Sequence, residues 1–383
     1  MDLRVKKVME PYWSDNFGNP SAIYDEGREA KKAVSDARTK VAFVLGACPN
    51  EIIFTAGGTE SDNMAVFGIS RFYKSRGNHI ITSKIEHHAV LHVFDKLKKE
   101  GFSADYINVD EGGIIDLKQL KSTLKKETIL VSVMYANNEI GAIQPIQEIA
   151  KIIRSHRKEH GCDTPYFHVD GVQAPSYLDL NVLKLGIDLL TLNGSKIYGP
   201  KGIGCLYVKR GIKIEPIIYG GGQEMSLRPG TENVPAIVGF AKALELAQGE
   251  KETESKRLTK LRDYFIDRLL KDIPDTILNG SRDSRLPNNI NVSFLNVEGE
   301  ATVLYLDAEG IASSTGSACN SDSLEPSHVI MAIKRRDNYA HGSVRFTMGK
   351  KTTKSDIDYV MKVLPGIIKK LRSISALDKN KRR

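Results

Sequence analysis

The sequence predicts an α/β protein, with a large domain built on a mainly parallel sheet wrapped by helices and a smaller α+β domain toward the C-terminus. Apolar strand-like runs alternate with segments whose apolar residues recur at helical spacing, which is typical of a parallel sheet covered by helices. The length of 383 residues exceeds what one hydrophobic core usually serves. These two observations together favour a large domain with a second, smaller one beside it.

Seven short apolar runs are predicted as the strands of the large domain. They cover residues 51–55, 79–82, 104–109, 129–134, 166–169, 189–192 and 204–208. Apolar residues at helical spacing predict helices over 27–45, 62–73 and 90–99. The strands and helices therefore follow one another in the order that a seven-stranded, mainly parallel sheet requires.

The C-terminal third shows a different pattern. Glycines crowd residues 220–230, which predicts a long functional loop, and 235–270 reads as a helix that bridges to a second domain. Strands are predicted at 290–294 and 343–346, with helices at 300–306 and 355–371. We expect a large domain over 14–247 and a small C-terminal domain over 248–383.

Composition excludes several classes of function. The net charge is +8, but lysines and arginines interleave with glutamates, which indicates a solvated surface rather than a nucleic-acid site. The sequence has no apolar run of membrane-spanning length and no secretory signal at its start, so we expect a cytoplasmic protein that binds no membrane. The four cysteines, which include no Cys-x-x-Cys pair, indicate neither a disulfide framework nor a metal site: Cys48, Cys162, Cys205 and Cys319. We expect at least one of them to be a working thiol.

The most informative chemistry is an acid and an amine at the ends of two predicted strands. Asp170 ends one apolar run, and Lys196 follows the next. A pyridoxal phosphate (PLP) enzyme needs a lysine to form a Schiff base with the aldehyde and an acid to keep the pyridine nitrogen protonated. Lys201 is a competing lysine, but it lies in a Gly-Pro-Lys-Gly turn after the site, so Lys196 is preferred.

A phosphate site is predicted where Gly57, Gly58 and Thr59 lie between a strand and a helix start, because free N–H groups and the helix dipole favour an anion there. The same residues are also the ordinary way to begin a helix. His87 follows the second strand and either stacks on the pyridine ring or is a surface histidine at a helix start.

Polar residues follow three further strands. Asn138, in an Asn-Asn-Glu-Ile-Gly run, offers an amide to the ring hydroxyl or to a substrate, although a turn also explains it. Gln173 lies three residues after Asp170 and is placed to donate to the ring oxygen. Asn193 and Ser195 flank the lysine as candidate phosphate ligands.

With these residues in place, the chain resembles the cysteine desulfurases of the NifS/IscS type, in the class V aminotransferase group of PLP-dependent fold type I. The resemblance runs over nearly the whole length. It implies removal of sulfur from L-cysteine, with L-alanine and an enzyme persulfide as products. The motifs that carry it are 17–21, 58–63, 86–87, 137–141, 168–170, 196–202, 220–224, 229–231 and 316–319.

The resemblance also implies a role for each site residue. Lys196 would be the Schiff-base lysine, Cys319 the sulfur-accepting nucleophile and His87 the catalytic residue stacked on the ring. Thr231 would reach the phosphate of a neighbouring subunit, so a homodimer is implied. Asn138 and Arg345 would bind the substrate, and the arginine would hold the carboxylate of the substrate. The residues that would line the cofactor are Gly58, Thr59, His87, Asn138, Asp170, Gln173, Asn193, Gly194, Ser195, Lys196 and Thr231.

The serine-rich segment 312–327 around Cys319 resembles the long catalytic loop of the subgroup that passes sulfur to an iron–sulfur scaffold protein. Its polar surroundings argue against the alternative of a buried, small hydrophobe. No resident metal is expected, although Cys319 could transiently ligate a cluster on the scaffold. Supply of sulfur for tRNA thiolation would use the same chemistry.

Two departures from the family pattern stand out. Asn193 and Ser195 replace the serine and histidine of the family's Ser-Gly-His-Lys, and both replacements still form hydrogen bonds. The family's first strand and its Asp-x-x-Ala-Thr-Thr-Pro segment are missing before residues 1–13. We expect residues 1–13 to join the small domain. A start codon assigned too late explains the missing segment better than the loss of one wall of the site. The alternatives are a catalytically impaired assembly platform on the same fold and a related lyase such as selenocysteine lyase.

Overall fold

The computed structural model describes residues 1–316, 327–335 and 337–375. Contacts divide the chain into two compact units. The first comprises Met1–Ile107, Leu117–Tyr135 and Pro145–Lys251, and the second comprises Asn108–Asp116, Ala136–Gln144 and Glu252–Arg383. Two short segments from the middle of the chain therefore belong to the second unit, which the sequence analysis did not anticipate.

The first unit carries the large sheet. Its strands are β1 (Ile52–Thr55), β2 (His79–Ser83), β3 (Ser103–Ile107), β4 (Thr128–Met134), β5 (Tyr166–Asp170), β6 (Leu189–Asn193) and β7 (Gly204–Val208). Its helices are α1 (Leu3–Met9), α2 (Asp25–Leu45), α3 (Gly58–Phe72), α4 (His88–Lys99), α5 (Leu117–Thr123), α6 (Ile146–His160), α7 (Val182–Leu185) and the first half of α8 (Val234–Asp272). The seven predicted strands are confirmed, and α6 is a helix that the sequence analysis left out.

The sheet is mostly parallel, in the order β1-β7-β6-β5-β4-β2-β3. Only β7 runs against its neighbours, and it is antiparallel to both β1 and β6. The carboxyl ends of β1, β2, β4, β5 and β6 consequently meet at one edge, which is where ligands bind in sheets of this kind. The residues of β4 and β5 are buried throughout, as expected for central strands covered on both faces.

Residues 1–13 belong to the first unit, and their expected assignment to the small domain is corrected. The backbone N–H of Asp2 donates to the carbonyl of Tyr198 at 2.9 Å, and Arg4 pairs with Glu250 at 2.8 Å. Met9 is buried against Gly239 on α8, where an added Cβ would lie 2.5 Å from its sulfur. These contacts all lie within the first unit.

The second unit contains a three-stranded antiparallel sheet in the order β10-β9-β8. Its strands are β8 (Thr276–Leu278), β9 (Asn289–Phe294) and β10 (Ser343–Thr347), and its helices are α9 (Gly299–Ala308), α10 (His328–Ala332), α11 (Asp337–Ala340) and α12 (Lys354–Ile374), with the second half of α8. This is the predicted α+β pattern. In the described part of the chain, no helix is long and apolar enough to cross a membrane.

Candidate active site

Asp170 and Lys196 follow neighbouring strands at the ligand-binding edge of the large sheet. β5 ends at Asp170, which lies in register with Thr191 on the parallel strand β6. β6 ends at Asn193, and the next three residues form a 3-10 turn that includes Lys196. The geometry therefore places the predicted acid and the predicted amine at the same edge, as the sequence analysis expected.

The turn that carries Lys196 is held in place by a side-chain cap and by close packing. The Asn193 side chain accepts a hydrogen bond from the N–H of Ser195 at 3.3 Å and caps the turn. Gly194 is buried, and an added Cβ would lie 2.8 Å from the Ile203 side chain, so the turn packs closely on the residue just before β7. The side chains of Ser195 and Lys196 are exposed, so both are accessible to a ligand at this edge.

The glycine turn after β1 leads directly into α3, which begins at Gly58, four residues earlier than predicted. A Cβ at Gly58 would lie 2.8 Å from the Val172 side chain and 3.5 Å from that of Asn193. Gly58 thus lets the helix start pack closely against the residue that follows Gly171 after β5 and against the last residue of β6. The exposed Thr59 supplies the next N–H of this helix terminus, where an anion is stabilised.

His87 caps the helix that follows β2. Its Nδ1 accepts the N–H of Ala89 at 3.1 Å, which assigns the ring proton to Nε2. The half-buried ring is close enough to Asp170 to lower the pKa of that carboxyl electrostatically. The structure therefore brings His87 to the same edge as Asp170.

Asp170 is buried, with its side chain held from behind by the next turn of the chain. Its Oδ1 accepts the N–H of Val172 at 2.9 Å. Burial raises the pKa of Asp170, and the hydrogen bond from Val172 and the electrostatic effect of the His87 ring oppose that rise. A cation opposite this carboxyl, such as a protonated pyridine, would favour its ionised form.

Behind Asp170 lies a buried polar cluster that sequence reasoning missed. His168, two residues earlier on the same strand face, is fully buried between Ser132 of β4 (2.8 Å to Nδ1) and Thr191 of β6 (3.0 Å to Nε2). Burial lowers the pKa of His168 to about 3, so its ring is neutral. Asp62 of α3 is 2% exposed, and its Oδ1 lies 3.6 Å from Nε2 of His168.

Glu86 is a second buried acid near the same edge. Its Oε1 accepts hydrogen bonds from the Ser83 hydroxyl and, at 3.0 Å, from the N–H of Met134. Burial raises the pKa of Glu86 to about 8. Motifs at 58–63, 86–87 and 168–170 contain these buried residues, and a polar residue two positions before Asp170 on an apolar strand was the signal that could have identified His168.

The loop that carries Thr231 is tied to the first unit by two ion pairs. Arg228 pairs with Glu60, in the first turn of α3, at 3.0 Å. Both guanidinium Nη atoms of Arg38 donate hydrogen bonds to the carboxylate oxygens of the buried Glu224, at 2.8 and 2.6 Å. Thr231 itself is exposed and borders a cavity of about 230 Å³ that reaches Ala56, so it lies near the helix terminus that starts at Gly58.

The other predicted cofactor residue of the first unit, Gln173, lies half-buried in the turn directly after β5. A backbone hydrogen bond from Ala174 to the carbonyl of Gly171, at 3.0 Å, closes this turn. Gln173 therefore lies beside the end of the strand that carries Asp170.

Asn138 and Arg345 belong to the second unit, where the structure brings them together. The Arg345 side chain donates to the carbonyl of Asn138 at 2.9 Å. Amides from Asn289 and Asn291 both donate to the carbonyl of Glu139, at 3.0 and 3.2 Å, and fix the same segment to β9. The two predicted substrate residues thus form one polar group on a firmly held backbone.

Glu139 also lies close to Gly316 and Ser327. The Ser327 hydroxyl donates to Glu139 Oε2, and a Cβ added at Gly316 would lie 2.8 Å from the same oxygen. Glu139 is 1% exposed, so the carboxylate that the Ser327 hydroxyl reaches is itself buried. Cys319 itself lies outside the described residues, as does most of the predicted loop 312–327.

The residues of the first unit fit pyridoxal phosphate. The helix N-terminus that begins at Gly58 is suited to a phosphate, and the buried Asp170 lacks a lysine or arginine ion pair among the described residues. Lys196 supplies an exposed amine in the turn after the adjacent strand. Phosphate, pyridine nitrogen and aldehyde would each meet a matching group here.

Comparisons with known proteins agree with this geometry. The family model for class-V aminotransferases matches residues 1–360. The chain is 53% identical to the cysteine desulfurase IscS of Dictyoglomus turgidum, over 97% of this chain and 92% of that one. It is 50% identical to the cysteine desulfurase IscS of Methanosarcina thermophila, over 97% and 90%.

Solved structures show the same similarity. A NifS-like protein superposes with a TM-score of 0.90 at 36% identity and covers 97% of both chains. A structure described as SspA in complex with cysteine has a TM-score of 0.77 at 35% identity, over 91% of this chain and 95% of that one. The chain therefore belongs to the class-V aminotransferase family, among its PLP-dependent cysteine desulfurases of the IscS and NifS type.

Proposed function

We propose that this protein removes sulfur from L-cysteine, releases L-alanine and passes the sulfur from Cys319 to an iron–sulfur scaffold protein. The observation that carries the proposal is the pair formed by Asp170 and Lys196 at adjacent strand ends, beside a helix terminus that fits a phosphate. The 53% identity to an IscS cysteine desulfurase supports the choice of cysteine as substrate.

Bound PLP would supply an electron sink for the carbon skeleton of the substrate. Asp170 would hold the charge that keeps the pyridine nitrogen protonated, and His87 would cover the same edge. Lys196 would hold the cofactor through its aldehyde and would move a proton at the substrate α-carbon. Arg345 and Asn138 hold the substrate carboxylate, to which the planar guanidinium is matched.

Cys319 completes the reaction as a thiolate that attacks the sulfur of the substrate. The carbon–sulfur bond of cysteine breaks, a sulfur–sulfur bond forms on Cys319, and the released three-carbon fragment takes up protons to become alanine. Loop residues 312–327 of the long-loop type are suited to carrying that persulfide to an acceptor.

The lysine assignment is tested by reducing the purified, PLP-loaded protein with borohydride and mapping the peptide that gains the cofactor mass. We expect the label on Lys196, and Lys196→Ala should lose it while Lys201→Ala keeps it. A label on Lys201 in the unmodified protein would overturn the assignment. The nucleophile is tested with Cys319→Ser, which should keep bound cofactor but release no sulfide from cysteine.

We further propose a cytoplasmic homodimer in which Thr231 reaches the phosphate in the neighbouring subunit. The exposure of Thr231, which leaves its side chain accessible to a second subunit, supports this arrangement. Light scattering should give twice the 42.4 kDa of one chain. Inactive pairs of Lys196→Ala and Thr231→Ala should regain one working site when mixed, whereas no recovery would argue for independent sites.

The acceptor is proposed to be a protein and not a nucleic acid or membrane. Transfer of labelled sulfur from cysteine to a purified scaffold protein tests this directly. An assembly platform without activity and a selenocysteine lyase are not favoured, because relatives at 53% and 50% identity are named cysteine desulfurases.

A further inference from the structure

The buried acid Asp62 has no role in the chemistry described so far. It lies on α3, one turn after Gly58, and is 2% exposed. Its side chain faces strands β5 and β6, with His168 Nε2 3.6 Å from Oδ1. Asp62 therefore lies in the layer directly behind the acid that is to face the pyridine nitrogen.

The surroundings of Asp62 contain acids and neutral groups. Asp170 lies beside it on β5, and Glu86, at the end of the loop after β2, adds a further nearby carboxyl. His168 is held between two hydroxyl groups, those of Ser132 and Thr191. In the described part of the chain, neither Asp62 nor Asp170 forms an ion pair with a lysine or arginine.

Like charges that share a buried site cannot all be ionised, because neither water nor a counter-ion offsets their repulsion. Burial and the charge of Asp170 raise the pKa of Asp62 well above its ordinary value, and only Thr191 opposes the rise. The ionised form of Asp170 is instead stabilised by the N–H of Val172 at 2.9 Å and by the electrostatic effect of the His87 ring. The single negative charge of the cluster consequently belongs on Asp170.

We propose that Asp62 stays protonated and acts as a positioning residue. With the neutral side chains of His168 and Thr191, it fills the space behind Asp170 and keeps the negative charge of the cluster on Asp170. The link to the cofactor rests on the proposed function. The protonation of Asp62 does not, since it follows from the buried cluster alone.

The first test measures protonation on the full chain without cofactor. Carbon-13 NMR of protein labelled at aspartate carboxyl carbons should show one resonance that keeps the position of a protonated acid at pH values well above the ordinary aspartate pKa of about 4. That resonance should vanish in Asp62→Asn. A signal for Asp62 that titrates near pH 4, as in a model peptide, would overturn the proposal.

The second test measures PLP dissociation constants by titrating the cofactor-free chain. Asp62→Ala should weaken binding about tenfold, because it opens the space behind Asp170, and Asp62→Asn should restore affinity to within about threefold, because an amide resembles the neutral acid. Asp170→Asn should bind PLP weakly even though it also introduces an amide, because it removes the negative charge itself. An Asn variant as weak as the Ala variant would show that Asp62 carries the charge.

The two tests fail separately. If the unmodified protein binds no PLP but still shows the protonated resonance, the proposed function is wrong and the inference on Asp62 stands. If PLP binds tightly and the resonance is absent, the inference on Asp62 is wrong and the proposed function stands.

Discussion

Glu86 makes the stability of this protein depend on pH in a way that the structure quantifies. The residue is fully buried, and burial raises its pKa from 4.5 to about 8. A carboxyl whose pKa is higher in the folded state than in the unfolded state binds its proton more tightly when folded. Its contribution to stability is full below pH 4.5 and is lost as the pH rises to about 8.

The size of the loss follows from the shift. Between pH 4.5 and about 8, each pH unit costs about 1.4 kcal/mol, because the unfolded chain releases a proton that the folded chain retains. The total is about 4 to 5 kcal/mol of unfolding free energy, which is a large part of the stability of an ordinary domain. Glu86→Gln removes this dependence, because an amide does not ionise.

Urea unfolding of the cofactor-free protein at several pH values measures the effect. The unfolding free energy of Glu86→Gln should equal that of the unmodified protein near pH 4. It should exceed that of the unmodified protein by an amount that grows with pH and reaches about 4 to 5 kcal/mol at about pH 8. The exposed Glu111→Gln is the matched control, and its difference from the unmodified protein should stay within about 0.5 kcal/mol at every pH. A difference between Glu86→Gln and the unmodified protein that does not change with pH would refute the reasoning.

Three further substitutions test the site. Gly58→Ala should raise the PLP dissociation constant about tenfold, because its Cβ would lie 2.8 Å from the side chain of Val172, whose N–H holds Asp170. Gly249→Ala, with open space around it, should leave binding unchanged and is the control in the same equilibrium titration. Arg345→Lys should raise the KM for cysteine about tenfold with a smaller change in kcat, since lysine cannot form the paired hydrogen bonds to a carboxylate; an unchanged KM in steady-state assays would remove Arg345 from the substrate site. Glu224→Gln should lower the unfolding free energy by roughly 3 kcal/mol because it leaves Arg38 without its buried counter-charge, and a urea midpoint equal to that of the unmodified protein would contradict this.

Much of the large sheet could be predicted because its strands are short apolar runs with local turn signals between them. Each of the seven strands lies within two residues of its predicted limits, and β7 matches them fully. Asp170 and Lys196 could be paired for the same reason, since acid and amine follow consecutive strands. Helix α6, by contrast, was left out, although Ile146, Ile149 and Ile153 lie buried on one face of it.

The buried acids show what the sequence pattern does not reveal. Asp62 and Glu86 look like ordinary polar residues next to a helix start and a strand end. Their pKa shifts arise from burial between elements that are distant in the chain, so no local signal marks them. The placement of residues 1–13 depends likewise on a long-range contact, the hydrogen bond from Asp2 to Tyr198.

The central claim is that this chain transfers sulfur from cysteine to Cys319, and one experiment measures it most directly. Purified, PLP-loaded protein is mixed with a limited amount of L-cysteine without reductant, alanine is counted, and the peptide that contains Cys319 is weighed by mass spectrometry. We predict one alanine for each persulfide sulfur found on Cys319, and neither product from Lys196→Ala. Alanine formed without added sulfur on Cys319, or sulfur found on Cys48, Cys162 or Cys205 instead, would contradict the account.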